Sequence, residues 1–430
     1  MNALADAAGA PRVFWLPGTS ARTGAPPTPW SGGSSLLGVL ADDDVSLTFD
    51  AGRGEVLRHQ GGTAVPVGHD VFAVLEEELA RDAGDPEVWW VGYVGYGCRT
   101  DLPGRPADPA SGVPDAVWMR LRSPQVVSSR PSWRETAPRG AAQRPNARHE
   151  GRLNTKVTEE YAEAFVEVQR QLRRGNSYEV NLTYREQLRT STDPVTAYLR
   201  LSELNPAPYA GYLRHPTAAG SVHLVGSSPE RYARIDADRV LEARPIKGTT
   251  PRGATAAEDA RERERLGSDR KFLAENLMIV DLLRNDLSMV CEPGTVAVPS
   301  LMTVESYASV HQLVSTVRGR LRDDVSTVEA LRALFPAGSM TGAPKRRTME
   351  IIDAVESTPR GVYSGAFGWI TADGRADLGV IIRTLVATPD GGEWRYEWGT
   401  GGGITVRSDL DEEWAETQWK AARLRAALQG

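Results

Sequence analysis

Three groups of residues in this chain combine types and spacings that can do chemistry. The first centres on Glu275. It lies in a stretch of helical periodicity, where Leu273, Leu277 and Val280 form one apolar stripe and Met278, Ile279 and Leu282 a second. Glu275 falls on the second stripe. A carboxylate on an apolar helix face must be neutral or meet a cation, either an arginine such as Arg284 or something bound. The second group is Gly401-Gly402-Gly403, followed by Glu413 and Glu416. Glycines leave backbone N–H groups open, and a helix start at Ser408, with Asp411 three residues on, favours an anion. Glu413 and Glu416, one turn apart, would repel that anion unless a divalent cation intervenes. Mg2+ held by one or two carboxylates and an anionic substrate fits. The alternative is a glycine hairpin leading into a solvated acidic helix. The third is Lys247, beside Gly248 at the end of a strand-like segment. Such a lysine is either a solvated loop residue or, where desolvation leaves its amine free, a nucleophile.

Other chemistries are absent from the pattern. Residues 337–345 resemble a phosphate loop but lack its Gly-Lys-Ser/Thr ending. Zinc-ligand spacings and a G-x-S-x-G elbow are missing. Neither Cys98 nor Cys291 sits in a nucleophile elbow, so no glutaminase is legible here.

The elements that must position these residues are readable in outline. Strands are expected over residues 44–49, 88–96 and 117–121 of an N-terminal lobe spanning 1–125, with close-spaced glycines in the 88–96 tract marking a strand that crosses another backbone. Residues 126–154 are rich in Ser, Arg, Pro and Gly and read as a linker. The catalytic region, 155–430, opens with a helix whose buried face is Tyr161, Phe165, Val168 and Leu172. Strands follow over 178–184, 222–227, 231–235 and 240–246, a helix over 269–287, a meander over 365–370, 379–387 and 394–398, and a last helix over 409–428. Strands and helices do not alternate, which predicts an α+β fold.

Composition sets the class. Apolar residues are 40% of the chain, enough for a sizeable core, and a net charge of −6 leaves no basic footprint for nucleic acid. Two cysteines in 430 residues make no disulfide framework. No signal sequence and no apolar run long enough for a bilayer is expected, which points to a cytoplasmic enzyme.

Read in order, Ser228–Arg231, Pro245–Thr249, residues 274–286, Leu313–Thr316, Gly338–Lys345, Ile382–Thr384 and residues 401–416 resemble the chorismate-utilising enzymes. That family includes the first components of anthranilate synthase and aminodeoxychorismate synthase, and isochorismate and salicylate synthases. The resemblance runs from about Tyr161 to Ala427 and implies two packed, mostly antiparallel sheets with helices outside. It also implies Mg2+ held by Glu275 and Glu416, with Glu413 close by. Glu230 matches a general acid, and Thr341 and Gly342 lie in a matching pocket loop, Thr341 as a catalytic candidate. Tyr363, Gly365 and Arg383 match substrate-holding positions, as do Gly248, Thr249, Gly401, Gly402 and Gly403.

Within the family, Lys247 matches the aminodeoxychorismate branch, where other branches carry alanine. The implied reaction is amination of chorismate at C4 through Lys247, towards 4-aminobenzoate, with ammonia from a partner glutamine amidotransferase. The first component of anthranilate synthase, or an aminating relative in secondary metabolism, is the alternative. Two departures stand out. Glu179 occupies a position where water-using members carry lysine and ammonia-using members usually glutamine. Gln312 stands where many members have histidine, with His311 one residue earlier.

Overall fold

The computed structural model describes residues 2–7, 9–18, 35–127, 156–307 and 310–429. Apart from Val126 and Val127, the linker expected over 126–154 lies outside them. The β-branched and aromatic tract forms the strand Val88–Val94, buried throughout. Its alternation divides it between two cores. Trp89, Val91 and Tyr93 enter one, and Val88, Trp90 and Val94 the other. Gly92 permits the close crossing expected there, since a Cβ on it would sit 2.0 Å from the Val117 carbonyl oxygen.

Among the described residues, nine strands form one sheet and twelve another, and every pair is antiparallel. The first sheet runs from Gly342–Ala343 through Glu179–Thr190, Glu393–Ile404 and Thr384–Asp390 to Gln125–Val127. The second runs from Ile246–Pro251 through Val310–Arg320 and Val240–Arg244 to Thr63–Gly68. Each sheet draws strands from both sides of residues 126–154.

Phe14, Leu36 and Leu224 from one sheet meet Tyr93, Met119 and Trp369 from the other, so the sheets pack face to face. Helices cover the outer faces. Pro194–Leu204 and Leu410–Leu428 lie on the first sheet, while Val71–Ala80, Arg270–Ser288 and Thr327–Leu334 lie on the second. This is the α+β architecture of two packed sheets that the sequence predicts.

Four local expectations are corrected. The strand expected over 240–246 breaks at Pro245, which has no N–H for the ladder, and resumes as Ile246–Pro251. The strand expected over 379–387 is interrupted at residues 381–383, where Arg383 takes φ 52°. The glycine triplet is inside the strand Glu393–Ile404, paired with Glu179–Thr190, rather than in a loop. The last helix is capped by Asp409, which accepts from the Asp411 and Glu412 N–H groups, and Ser408 is spent elsewhere.

Candidate active site

The site forms where edges of the two sheets meet. Lys247 comes from the strand Ile246–Pro251, and Glu179 opens the strand Glu179–Thr190 of the other sheet. Lys247 is 9% exposed, and its Nζ donates to Glu179 Oε1. The solvated-loop reading of this lysine is therefore wrong: its strand is an edge strand covered by helices and by the neighbouring sheet. The charges of Glu179, Glu275 and Glu230 raise its pKa against the opposing pull of burial. Gly403 makes room for the pair. A Cβ there would lie 2.1 Å from Glu179 Oε1 and 3.2 Å from Lys247 Nζ. Gly342, at φ 144°, packs on the backbone of Glu179 from the other side, where a Cβ would meet its carbonyl oxygen at 2.0 Å.

Glu230 stands beside Lys247, just before the strand Arg231–Ile235. Burial pushes its pKa up to about 7, while Ser339, Lys247 and the Ile246 N–H pull the other way. Ser339 Oγ donates to Glu230 Oε1 at 2.7 Å. A carboxyl group titrating near neutrality is suited to proton donation.

Glu275 projects from Arg270–Ser288 with Oε1 buried and without a partner. Its pKa is pushed up to about 7, chiefly by burial. Arg284, the cation considered for it, pairs instead with Asp281 at 3.2 Å. Leu277 is 54% exposed, so the stripe that holds Glu275 is the more buried of the two. Glu413 Oε1 accepts from Lys271 Nζ at 3.0 Å and Ser408 Oγ at 2.7 Å. Glu416, at the surface, pairs with Lys420 at 2.7 Å, and that ammonium lowers its pKa. Among the described residues no three acidic, histidine or cysteine side chains are arranged as a ready metal-ligand cluster. Glu413 and Glu416 are instead each held by a lysine.

Arg383 and Tyr363 lie close to each other, Tyr363 buried and Arg383 half-buried. Desolvation lowers the Arg383 pKa to about 10. Its guanidinium lies 5.3 Å over the Trp419 ring. Arg185 lies 4.6 Å over the Tyr363 ring and reaches Glu356 at 3.2 Å.

The chain matches the model of the chorismate binding enzymes over residues 49–426. It belongs to that family. It is 40% identical over 98% of its length to aminodeoxychorismate synthase of Streptomyces pristinaespiralis, of which it spans 62%. It is 34% identical over 91% of its length to aminodeoxychorismate synthase component 1 of Salmonella typhimurium, of which it spans 82%. In fold it resembles anthranilate synthase component I from Streptococcus pneumoniae, with TM-score 0.69, 23% identity and 94% of each chain covered.

Against this family frame, the structure gathers Lys247, Glu230, Glu275 and Gly403 around one point. Gly402 lies near the acidic helix, where its added Cβ would be 3.0 Å from Glu413 Oε2. Thr249 pairs with Gln312, so Gln312 shares its face. His311 turns the other way, with Nε2 at 3.0 Å from Asp259. The Thr341 hydroxyl closes its own turn, donating to Ala337 and Gly338 carbonyls. Gly248, Gly365 and Gly401 sit at close contacts: a Cβ would meet Leu266 and Phe272 at 2.9 Å, Val94 O at 2.1 Å, and Leu182 O at 2.3 Å, respectively.

Sequence reasoning missed Lys271, Lys420, Ser339 and Arg185. The two lysines each lie four residues from a family carboxylate, Lys271 before Glu275 and Lys420 after Glu416, and that helical spacing was legible. Ser339 and Arg185 gave no such signal, because their partners are distant in the chain.

Proposed function

We propose that this chain aminates chorismate at C4, giving 4-amino-4-deoxychorismate on the way to 4-aminobenzoate. Ammonia comes from a partner glutamine amidotransferase. The observation that carries this reading is the buried amine of Lys247, hydrogen-bonded to Glu179 and flanked by Glu230 and Glu275. A primary amine held among carboxylates, one of them titrating near 7, is equipped for nucleophilic attack coupled to proton donation. The relatives named aminodeoxychorismate synthase support the same assignment.

In this reading Lys247 attacks C2 of chorismate, and Glu230 protonates the departing C4 hydroxyl. Ammonia then attacks C4 and expels the lysine. Arg383, without an acidic partner of its own among the described ion pairs, receives a substrate carboxylate, and Tyr363 forms a wall of the pocket. Ser339 holds the Glu230 carboxyl in place.

Mg2+ is the cofactor of this reading. The residues present fit it. Glu275 has an orphaned, buried oxygen, and the ammonium groups of Lys271 and Lys420 already answer the negative charge of Glu413 and Glu416. Glu275, Glu413 and Glu416 would hold the ion through hard oxygen donors. When bound it supplies the positive charge that lets a dianionic substrate approach these carboxylates.

The test is product identification. Purified protein incubated with chorismate, Mg2+ and ammonium should give 4-amino-4-deoxychorismate. Glutamine should serve only after the amidotransferase is added, and Lys247→Ala should lose the product. Formation of anthranilate by the wild type, or full turnover by Lys247→Ala, would overturn the assignment.

A further inference from the structure

Three carboxylates surround the Lys247 amine: Glu179, Glu230 and Glu275. An amine can attack carbon only through its lone pair, so a lysine held as ammonium must first place a proton elsewhere. Glu230 is engaged by Ser339 and must deliver a proton to the leaving hydroxyl. Glu275 makes no hydrogen bond to Nζ among the described contacts and belongs to the proposed cation site. Among the described residues, Glu179 alone receives the Nζ–H directly. Its Oε1 touches the lysine, its Oε2 is buried without a partner, and the side chain is 1% exposed. Protonating Glu179 therefore breaks no competing bond.

We infer that Glu179 is a catalytic residue, the proton acceptor that frees the Lys247 amine for attack. The inference rests on the amination reading and assigns a role to the residue by which this chain departs from the usual glutamine or lysine. Substrate entry drives the transfer. Excluding water penalises the ammonium–carboxylate pair more than a neutral amine and a neutral acid, because charge is what desolvation disfavours.

The steps balance. The proton moves from Nζ to Glu179. The Nζ lone pair forms the bond to C2, the ring π electrons shift, and the C4–O bond breaks with its electron pair taking the Glu230 proton, so water leaves. Ammonia then bonds to C4, the π electrons shift back, and the C2–Nζ bond breaks with its pair returning to Nζ as a neutral amine. The new C4 ammonium gives its surplus proton to Glu230, and Glu179 returns its proton to Lys247. One ammonia is consumed and one water released. Gly403 contributes by leaving space for this pair against the strand.

The experiment is the rate of covalent adduct formation on Lys247, followed by mass spectrometry with chorismate and Mg2+ but no ammonia. Glu179→Gln keeps the size and an acceptor oxygen but cannot take a proton. Its adduct rate should fall about 10²–10⁴-fold with chorismate affinity retained, while loss of the charge partner of Lys247 lowers the melting temperature. A purely structural role would instead lower chorismate affinity along with the adduct rate. Should the glutamine variant not fold, Glu179→Asp keeps the carboxylate but withdraws it from Nζ, and it too must lose adduct rate while binding chorismate. An unchanged adduct rate in either folded variant overturns the inference. Absence of any Lys247 adduct in the wild type, with a chorismate-derived product still formed, would instead sink the nucleophile reading on which it rests.

Discussion

The Glu230 carboxyl shows how one side chain acquires its chemistry from burial. Desolvation raises its pKa to about 7, and the Ser339 hydrogen bond is the largest opposing influence. As general acid it works protonated, so activity should fall as pH rises through about 7. Ser339→Ala removes a bond that favours the ionised form, and the falling limb should move to higher pH. Stability follows the same sign. A carboxyl whose pKa is raised on folding contributes stability that is present below its unfolded value and lost as pH climbs from there through its folded value. Between its ordinary value of 4.5 and about 7 the wild type should therefore lose up to about 1.4 kcal/mol per pH unit through this group, and nothing further above that, and Glu230→Gln should flatten that loss. Thermal melts between about pH 4 and 8 and activity profiles between about pH 6 and 9 read the two effects. A limb that stays put in Ser339→Ala would remove Glu230 from the role.

At the scale of elements, the strand Glu393–Ile404 works as a spacer. Its glycines let side chains from four neighbouring elements converge on its surface. Gly399 faces Arg185 and Tyr363, Gly402 faces Glu413, and Gly403 faces Glu179 and Lys247. Gly403→Ala would drive a methyl group into the Glu179–Lys247 pair. Overpacking of this kind costs about 1–3 kcal/mol, which a chain of this core size survives. Turnover should fall far more than stability does, because the displaced atoms are the reacting ones. Steady-state kinetics beside a melting curve measures the two together, and near-normal turnover would mean that the pair has slack.

Across the whole molecule, the site is tied to the fold by a buried ionic network. Glu356 accepts from the Thr183 N–H and hydroxyl, from Arg185 at 3.2 Å and from Arg360 at 2.7 Å. Arg360 also donates to the Met340 and Asn181 carbonyls, and its guanidinium lies 4.6 Å over the Tyr96 ring. The network joins the Glu179 strand, the Ser339 turn and the segment leading to Tyr363. Removing one partner of a buried pair leaves the other charge unpaid by water or protein. Glu356→Ala should cost about 3–5 kcal/mol, visible as a lower midpoint in urea, and Glu356→Gln should cost less because it retains hydrogen-bonding atoms. An alanine variant as stable as the wild type would show that the arginines find other partners.

Periodicity is local, and the sequence alone determined what depends on it. Tyr161, Phe165, Val168 and Leu172 mark the buried face of Glu159–Arg173. The helix carrying Glu275 begins after Asp269, as its pattern predicts. The motif residues also announced the family, because their types and order survive without coordinates. What tertiary structure decided is which of these residues touch. Lys247 and Glu179 are 68 residues apart, and Ser339 and Glu230 are 109 apart. Such pairings depend on how edge strands of two sheets come together, and residue spacing carries no record of that. For the same reason Glu179 read only as a departure in the sequence, and the spacing around Lys247 left a solvated loop residue and a nucleophile both open. The meeting of the sheets buries both and sets the carboxylate against the amine, since a lone charge in that interior would be too costly without its partner.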